Sequence, residues 1–210
     1  MKFKDPKSGP IIKGASSSKS IWIWSAIKYK KKYINFIIIK LLCTNTGECI
    51  SKYCIVTDDG IGSILFNDIT KSIYNYSVKA VYIKPDEIPL FKNLVNNNVL
   101  DQPIYEINLG RNDFSFVVGS CRRNINLCGI SLFGTGQAGD KIYKSIYNLG
   151  PSFFLSLGDQ VYLDPIGSFM QAKSVDDIRK LYIKMRNYKH IRKLMSETIC
   201  YEICDDHDNH

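Results

Sequence analysis

The sequence lacks a long hydrophobic run. Its longest apolar stretch, residues 34–42, is interrupted by Asn35 and Lys40, whereas a membrane-spanning helix needs roughly 20 apolar residues in succession. The basic residues 1–7 are not followed by the apolar segment of a secretory signal peptide. We therefore expect no membrane span and no export, and we predict an intracellular location.

The cysteines lack the CxxC pairs that are typical of zinc ribbons. There are seven of them, an odd number at irregular spacing. Together with the absence of an export signal, this favours free thiols in a reducing compartment, most of them buried as small apolar side chains.

The composition excludes global disorder, because 45% of the residues are hydrophobic and 12% are aromatic. A length of 210 residues suits one or two domains. The net charge of +8 comes from basic residues spread along the chain, and the one tight run, residues 28–32, is broken by Tyr29. Abundant Ile, Lys, Asn and Tyr indicate an AT-rich coding sequence, so we expect no specific nucleic-acid recognition.

Residues 1–110 read as short strands separated by turns. Residues 91–100 are ambiguous and favour a loop. The predicted strands are rich in β-branched and aromatic residues and cover residues 21–24, 34–42, 50–56, 74–83 and 104–109. This spacing predicts an N-terminal β-sandwich of about 100 residues.

Residues 111–210 alternate between strand and helix patterns. Helices are predicted over residues 140–149, ended by Gly150, and over residues 174–195, capped by Ser174. The predicted strands are residues 114–118, 153–157 and 198–203. A β–α–β–α–β string predicts parallel strands in an α/β domain.

A polar cluster follows each of these three strands. Ligands bind at the carboxyl ends of strands in open α/β sheets. We therefore expect the following side chains to converge: Cys121, Asp159, Tyr162, Asp206 and His207.

These residue types suit a cation. A carboxylate directly after a buried strand, Asp159, is costly to desolvate without compensation. Thiolate and phenolate groups from Cys121 and Tyr162 would suit a transition metal, which could activate water for attack on a phosphoryl group. His207 could protonate the leaving oxygen. Ionisable groups are also crowded at the end of the sequence: Asp205, Asp206, His207, Asp208 and His210.

Each feature also has an ordinary explanation. A lone cysteine after a strand is usually only buried, and an aspartate there is often a helix cap or a turn former. An acidic, histidine-containing tail is often merely solvated. From the residues alone, the choice between a metal site and these explanations stays open.

Three segments resemble the successive motifs GSC, LGDxxY and WDDHE of the PhoD-like (alkaline phosphatase D) metallophosphoesterases. They are GSCR at residues 119–122, LGDQVY at residues 157–162 and CDDHD at residues 204–208. The start of the chain, GPII at residues 9–12 and SKSIWIW at residues 18–24, is similar to the opening of the family's fibronectin-like N-terminal domain.

The resemblance implies a role for each matching residue. Cys121 and Tyr162 would bind an iron ion, and Asp159 would bridge it to a second site that can hold calcium. Asp206 would be a further metal ligand, His207 the active-site histidine, and Arg122 a phosphate-binding residue. The implied reaction is hydrolysis of phosphate mono- or diesters by metal-activated water.

The sequence departs from the family pattern at several positions. Cys204 stands where the family has Trp, Asp208 where it has Glu, and Ser152 where it commonly has Asp. The family's catalytic domain also continues well beyond the DDH motif and supplies further ligands. We therefore expect a truncated catalytic domain with weak metal binding and a possible complementing C-terminal fragment. The alternative is a non-catalytic remnant or binding module.

Overall fold

The computed structural model describes residues 11–17, 19–70, 72–88, 91, 95–97, 99–109, 114–122, 125–127, 130–132, 140–163 and 172–208. The chain divides into two compact units, Met1–Asn112 and Asp113–His210.

The first unit contains two antiparallel sheets. One is built from β1 (Ile11–Ser17), β2 (Ser20–Ala26) and β5 (Ile61–Asn67), with β2 in the centre. The other has the order β4–β3–β6–β7 and is built from β3 (Ile34–Cys43), β4 (Cys49–Ile55), β6 (Ile73–Ile83) and β7 (Ile104–Asn108). A short 3-10 turn, Pro85–Glu87, follows β6.

Apolar side chains of both sheets form one buried cluster. Ile21 and Ile23 of β2 and Phe66 of β5 belong to it, together with Ile37 and Ile39 of β3, and all five are 0% exposed. Alternate residues of a strand face the same side, so each strand turns one row of apolar groups inward. The fibronectin-like sandwich itself stays a prediction.

The sequence prediction was wrong in omitting β1 and β5. After its first three residues, β1 consists only of Gly, Ala and Ser, which do not favour strands. In β5 the pattern is broken by Gly62, which also lowers strand propensity. A Cβ there would lie 2.8 Å from Sγ of Cys54, so a larger side chain would require Cys54 to move. Much of the ambiguous segment 91–100 lies outside the described residues.

The second unit contains a parallel sheet, as predicted. β8 (Phe116–Gly119) precedes a small hairpin of β9 (Ile125–Leu127) and β10 (Ile130–Leu132), which the sequence did not predict. The central strand β11 (Phe153–Ser156) pairs in parallel with β8 and with β12 (Ile199–Glu202). The first strand begins two residues later than predicted.

The helix α1 (Lys141–Leu149) ends as the sequence predicts. Gly150 has a left-handed backbone, with φ of 61°, and its N–H donates to the Tyr147 carbonyl at 3.0 Å. This geometry closes a helix because glycine has no Cβ to clash there.

The single helix predicted over residues 174–195 is wrong, because the structure has two helices. They are α2 (Val175–Arg186) and α3 (Lys189–Glu197), separated by the extended backbone of Tyr188. The carboxylate of Asp140 accepts from the amides of His190 and Ile191, both at 3.0 Å. These bonds satisfy free amides at the start of α3. Ser174 caps α2 as predicted, accepting from the Asp177 amide at 3.1 Å.

Within the described ranges, no helix has the length and apolar character to cross a membrane. The described cysteines, which exclude Cys128, form no disulfides with one another.

Candidate metal centre

The three polar segments of the second unit meet at the carboxyl ends of β8, β11 and β12. The backbone ties the first two together, since the Cys121 amide donates to the Gly158 carbonyl at 3.2 Å. The Arg122 amide likewise donates to the Asp159 carbonyl at 2.9 Å. The parallel pairing of the strands places all three loops at one edge, where sheets of this type bind ligands.

Cys121 and Asp159 both have left-handed backbones, with φ of 58° and 52°. Residues with a Cβ rarely adopt this conformation, and such strain is concentrated at functional sites. The Cys121 thiol donates to Oδ2 of Asp159 at 3.5 Å. The Tyr162 hydroxyl donates to the same oxygen at 3.2 Å. Three side chains that the sequence singled out therefore meet at one carboxylate oxygen.

Asp159, Asp206 and His207 form a second set of convergent groups. One ligand atom from each of them lies within 4.8 Å of the others. Asp159 is only 5% exposed, Asp206 is exposed, and His207 is half-buried. The His207 ring packs on Tyr162, with 4.4 Å between the ring centroids. The structure thus brings together all five residues whose convergence the sequence predicts, while their roles stay predictions.

The Asp159 carboxylate is buried and incompletely partnered. Among the described residues, its Oδ1 has no hydrogen-bond partner. Burying a carboxylate without full compensation costs several kcal/mol. Burial, followed by the charges of Asp159 and Cys121, raises the pKa of Tyr162 to about 12. The donor set comprises two carboxylates, an imidazole, a phenol and a thiol, and Oδ1 of Asp159 has no partner among the described residues. Such a set fits a metal ion.

Gly158 allows the loop after β11 to approach the loop after β12. Its φ is 104°, and a Cβ there would lie 2.4 Å from Cβ of Asp205 and 3.0 Å from the Asp205 nitrogen. Only glycine avoids both the clash and the backbone strain. The LGD motif thus carries a packing requirement as well as a carboxylate.

Sequence reasoning missed the importance of Asp208, which it noted as one of the crowded ionisable groups and as a departure from the family's Glu. The side chain is buried, with 6% of the residue exposed. Its carboxylate accepts from the amides of Gln160 and Val161, both at 3.1 Å, and from the Tyr182 hydroxyl at 2.8 Å. These partners lie 26 to 48 positions away, so no local pattern could have revealed them. His210, the last group of the predicted cluster, lies outside the described residues.

Arg122 is held between two tyrosine rings. Its guanidinium carbon lies 5.4 Å from the ring centre of Tyr143 and 5.0 Å from that of Tyr188. Burial lowers the pKa of Arg122, and the nearby tyrosines and Asp140 partly oppose this. Its two terminal nitrogens have no hydrogen-bond partner within the described part of the chain. Phosphate binding by Arg122 stays a prediction.

Comparison with known proteins identifies the fold. No protein-family model matches the sequence, and no curated protein matches it. A solved structure of PhoD superposes with a TM-score of 0.63 at 12% identity, covering 94% of this chain and 38% of PhoD. The fold is metallophosphatase-like.

A second metallophosphatase-like neighbour is purple acid phosphatase PPD1 from yellow lupin (Lupinus luteus) seeds. It superposes with a TM-score of 0.60 at 9% identity, covering 95% of this chain and 36% of that enzyme. The chain therefore spans little more than a third of either protein. At such low identity the likeness establishes the fold and leaves the activity to be tested.

Proposed function

We propose that the chain carries part of the active site of a metal-dependent phosphoester hydrolase of PhoD-like type, acting on mono- or diesters. One observation carries this proposal. Asp159, Asp206 and His207 present ligand atoms within 4.8 Å of one another, at the strand ends of a fold shared with PhoD and a purple acid phosphatase.

In this proposal Cys121, Asp159, Tyr162 and Asp206 hold the metal ions, which by resemblance are iron and calcium. Oδ1 of Asp159 would be open to a metal ion, because it has no hydrogen-bond partner among the described residues, whereas Oδ2 accepts from Cys121 and Tyr162. When bound, the metals supply positive charge that stabilises a phosphoryl oxygen and favours deprotonation of water.

In this proposal His207 donates a proton to the leaving oxygen. Its half-buried ring packs on Tyr162, which limits its orientation, and a ring nitrogen lies within 4.8 Å of an oxygen of each of the two carboxylates. A general acid must lie within hydrogen-bond reach of the group that it protonates. Arg122 is proposed to assist in holding the phosphate.

The test uses the full chain, loaded with iron, Mn²⁺ or Ca²⁺, and two chromogenic substrates, p-nitrophenyl phosphate and bis(p-nitrophenyl) phosphate. We expect metal-dependent release of nitrophenolate that is lost in Asp159→Asn. Asp176→Asn is the matched control, because Asp176 is an exposed carboxylate on α2 of the same unit. Turnover that is unaffected by Asp159→Asn would contradict the proposal. Bound metal without turnover would favour the alternative of a non-catalytic module.

A second variant separates the two possible uses of the histidine. His207→Asn should retain bound metal, measured by atomic emission after gel filtration, and should lose turnover. Loss of the metal itself would make His207 a ligand instead of the proton donor.

A further inference from the structure

Asp208 joins three separate parts of the second unit. Its Oδ1 accepts from the Gln160 and Val161 amides of the loop after β11 and from the Tyr182 hydroxyl of α2. Its Oδ2 accepts from the Asp205 amide at 3.2 Å, in the loop after β12. A carboxylate that is 6% exposed thus binds four donors.

The donors of these bonds lie next to the residues of the proposed metal site along the chain. The Gln160 and Val161 amides lie between Asp159 and Tyr162 in sequence. The bond from the Asp205 amide to Asp208 closes a turn that contains Asp206 and His207, and the Asp208 amide donates back to the Asp205 carbonyl at 3.1 Å. The carboxylate therefore holds both loops from one point.

Tyr182 fixes the carboxylate from the side of α2. Its hydroxyl stays a donor, because burial and Asp208 raise the pKa of Tyr182. The guanidinium of Arg186 lies 5.0 Å from the Tyr182 ring centre and pairs with Glu202 of β12. The orientation of Asp208 is thus tied to a helix and to a strand of the sheet.

We propose that Asp208 is a positioning residue of the metal site, holding the loop of Asp159 and Tyr162 against the turn of Asp206 and His207. The inference rests on the proposed function and adds a residue to it. Metal ligands must be held to about 0.5 Å, and the groups that bind and orient them typically change metal affinity by roughly 10- to 100-fold when altered.

Two substitutions in the full chain test this. Asp208→Asn keeps the size of the side chain and replaces one acceptor oxygen with an amide nitrogen. This nitrogen must face either the Asp205 amide or the three donors to Oδ1, which are the Gln160 and Val161 amides and the Tyr182 hydroxyl. Tyr182→Phe removes only the hydroxyl donor. The matched controls are Glu197→Gln and Tyr147→Phe, because the Tyr147 hydroxyl of α1 donates to Glu197 of α3 at 2.6 Å within the same unit.

The probe is Co²⁺, titrated into each metal-free variant and followed by visible absorption, which reports both affinity and ligand geometry. We expect Asp208→Asn to weaken Co²⁺ binding by about 10- to 100-fold and to alter the absorption bands at saturation. Tyr182→Phe should weaken binding by a smaller factor, and the double variant should show less than the product of the two effects. The two controls should bind as the unchanged chain does.

A purely structural role gives a different outcome. Asp208→Asn would then lower the urea midpoint of the metal-free chain while Co²⁺ affinity and spectrum stay unchanged, and this result would overturn the inference alone. If the unchanged chain binds no Co²⁺, the proposed function fails and the inference fails with it. The unchanged chain therefore separates the two failures.

Discussion

The Cys121 thiol donates to the Asp159 carboxylate across 3.5 Å, although the two residues lie 38 positions apart. Both have a left-handed backbone. Cys121 lies two residues after the end of β8, and Asp159 lies three residues after the end of β11. Two strained residues that present a soft thiol and a hard carboxylate to each other are a second structural sign of a metal site, beside the cluster of Asp159, Asp206 and His207.

Replacement of Gly158 by alanine should destabilise the second unit strongly. The new Cβ would lie 2.4 Å from Cβ of Asp205, on a backbone with φ of 104°. Overpacking and backbone strain together predict a loss of about 2 to 4 kcal/mol in the free energy of unfolding, measured in urea. Gly150→Ala is the control, because its φ is also positive but no atom of the described residues, apart from its chain neighbours, lies within 4 Å of the new Cβ. It should cost about 1 kcal/mol. Equal losses would show that the approach to Asp205 has no energetic importance.

Asp159→Asn should leave the thermal stability of the metal-free protein intact but should abolish its stabilisation by metal. Without metal, the substitution removes a buried charge with incomplete partners, so thermal stability should stay equal or rise. With metal, the unchanged chain should gain stability by binding, whereas Asp159→Asn should gain none. Differential scanning calorimetry with and without Mn²⁺ measures both effects. A variant that is less stable without metal and equally stabilised by it would argue against the assignment.

The phenol of Tyr162 should stabilise the folded state, and this contribution should be lost in alkaline solution. Its pKa is raised to about 12, above the ordinary value of roughly 10, so the folded state holds the phenol proton more tightly. This contribution is complete below about pH 10 and is lost as the pH rises through about 12. The urea midpoint of Tyr162→Phe should therefore fall less steeply over that interval than that of the unchanged chain. Tyr53→Phe, at a 52% exposed tyrosine, should follow the unchanged chain. Parallel profiles for Tyr162→Phe and the unchanged chain would contradict the prediction.

Arg122→Ala should destabilise the fold whether or not Arg122 binds phosphate. The side chain packs against Tyr143 of α1 and against Tyr188, which precedes α3. Desolvated cation–π contacts predict a loss of about 2 kcal/mol, measured by urea unfolding. Lys180→Ala, at an exposed helical ion pair with Asp177, should change the midpoint little. If Arg122→Ala leaves stability intact but raises KM for a phosphoester, substrate binding would be its main role.

The prediction of helices shows where local reasoning succeeds and where it fails. Gly150 ends α1 and Ser174 begins α2, because each acts on amides or carbonyls of its own turn. The break at Tyr188 was missed, because the group that caps α3 is Asp140, 50 positions upstream. Tertiary hydrogen bonds of this kind leave no mark on the residues around the break.

The candidate site shows the same difference between features set by local sequence and features set by tertiary hydrogen bonds. Convergence of the five candidate residues was predictable, because parallel strands place their carboxyl ends at one edge and each polar segment directly follows a strand. The hydrogen bonds of Asp208 were not, because Gln160, Val161 and Tyr182 reach it only in the folded chain.

The alternation of strands and helices in residues 111–210, with a polar segment after each strand, could be read from the amino-acid sequence, because it follows from local propensity and chain order. The left-handed backbones of Cys121 and Asp159 and the inward turn of Asp208, which binds both loops, could not. Burial and long-range hydrogen bonding impose these features, and neither can be read from the neighbouring residues.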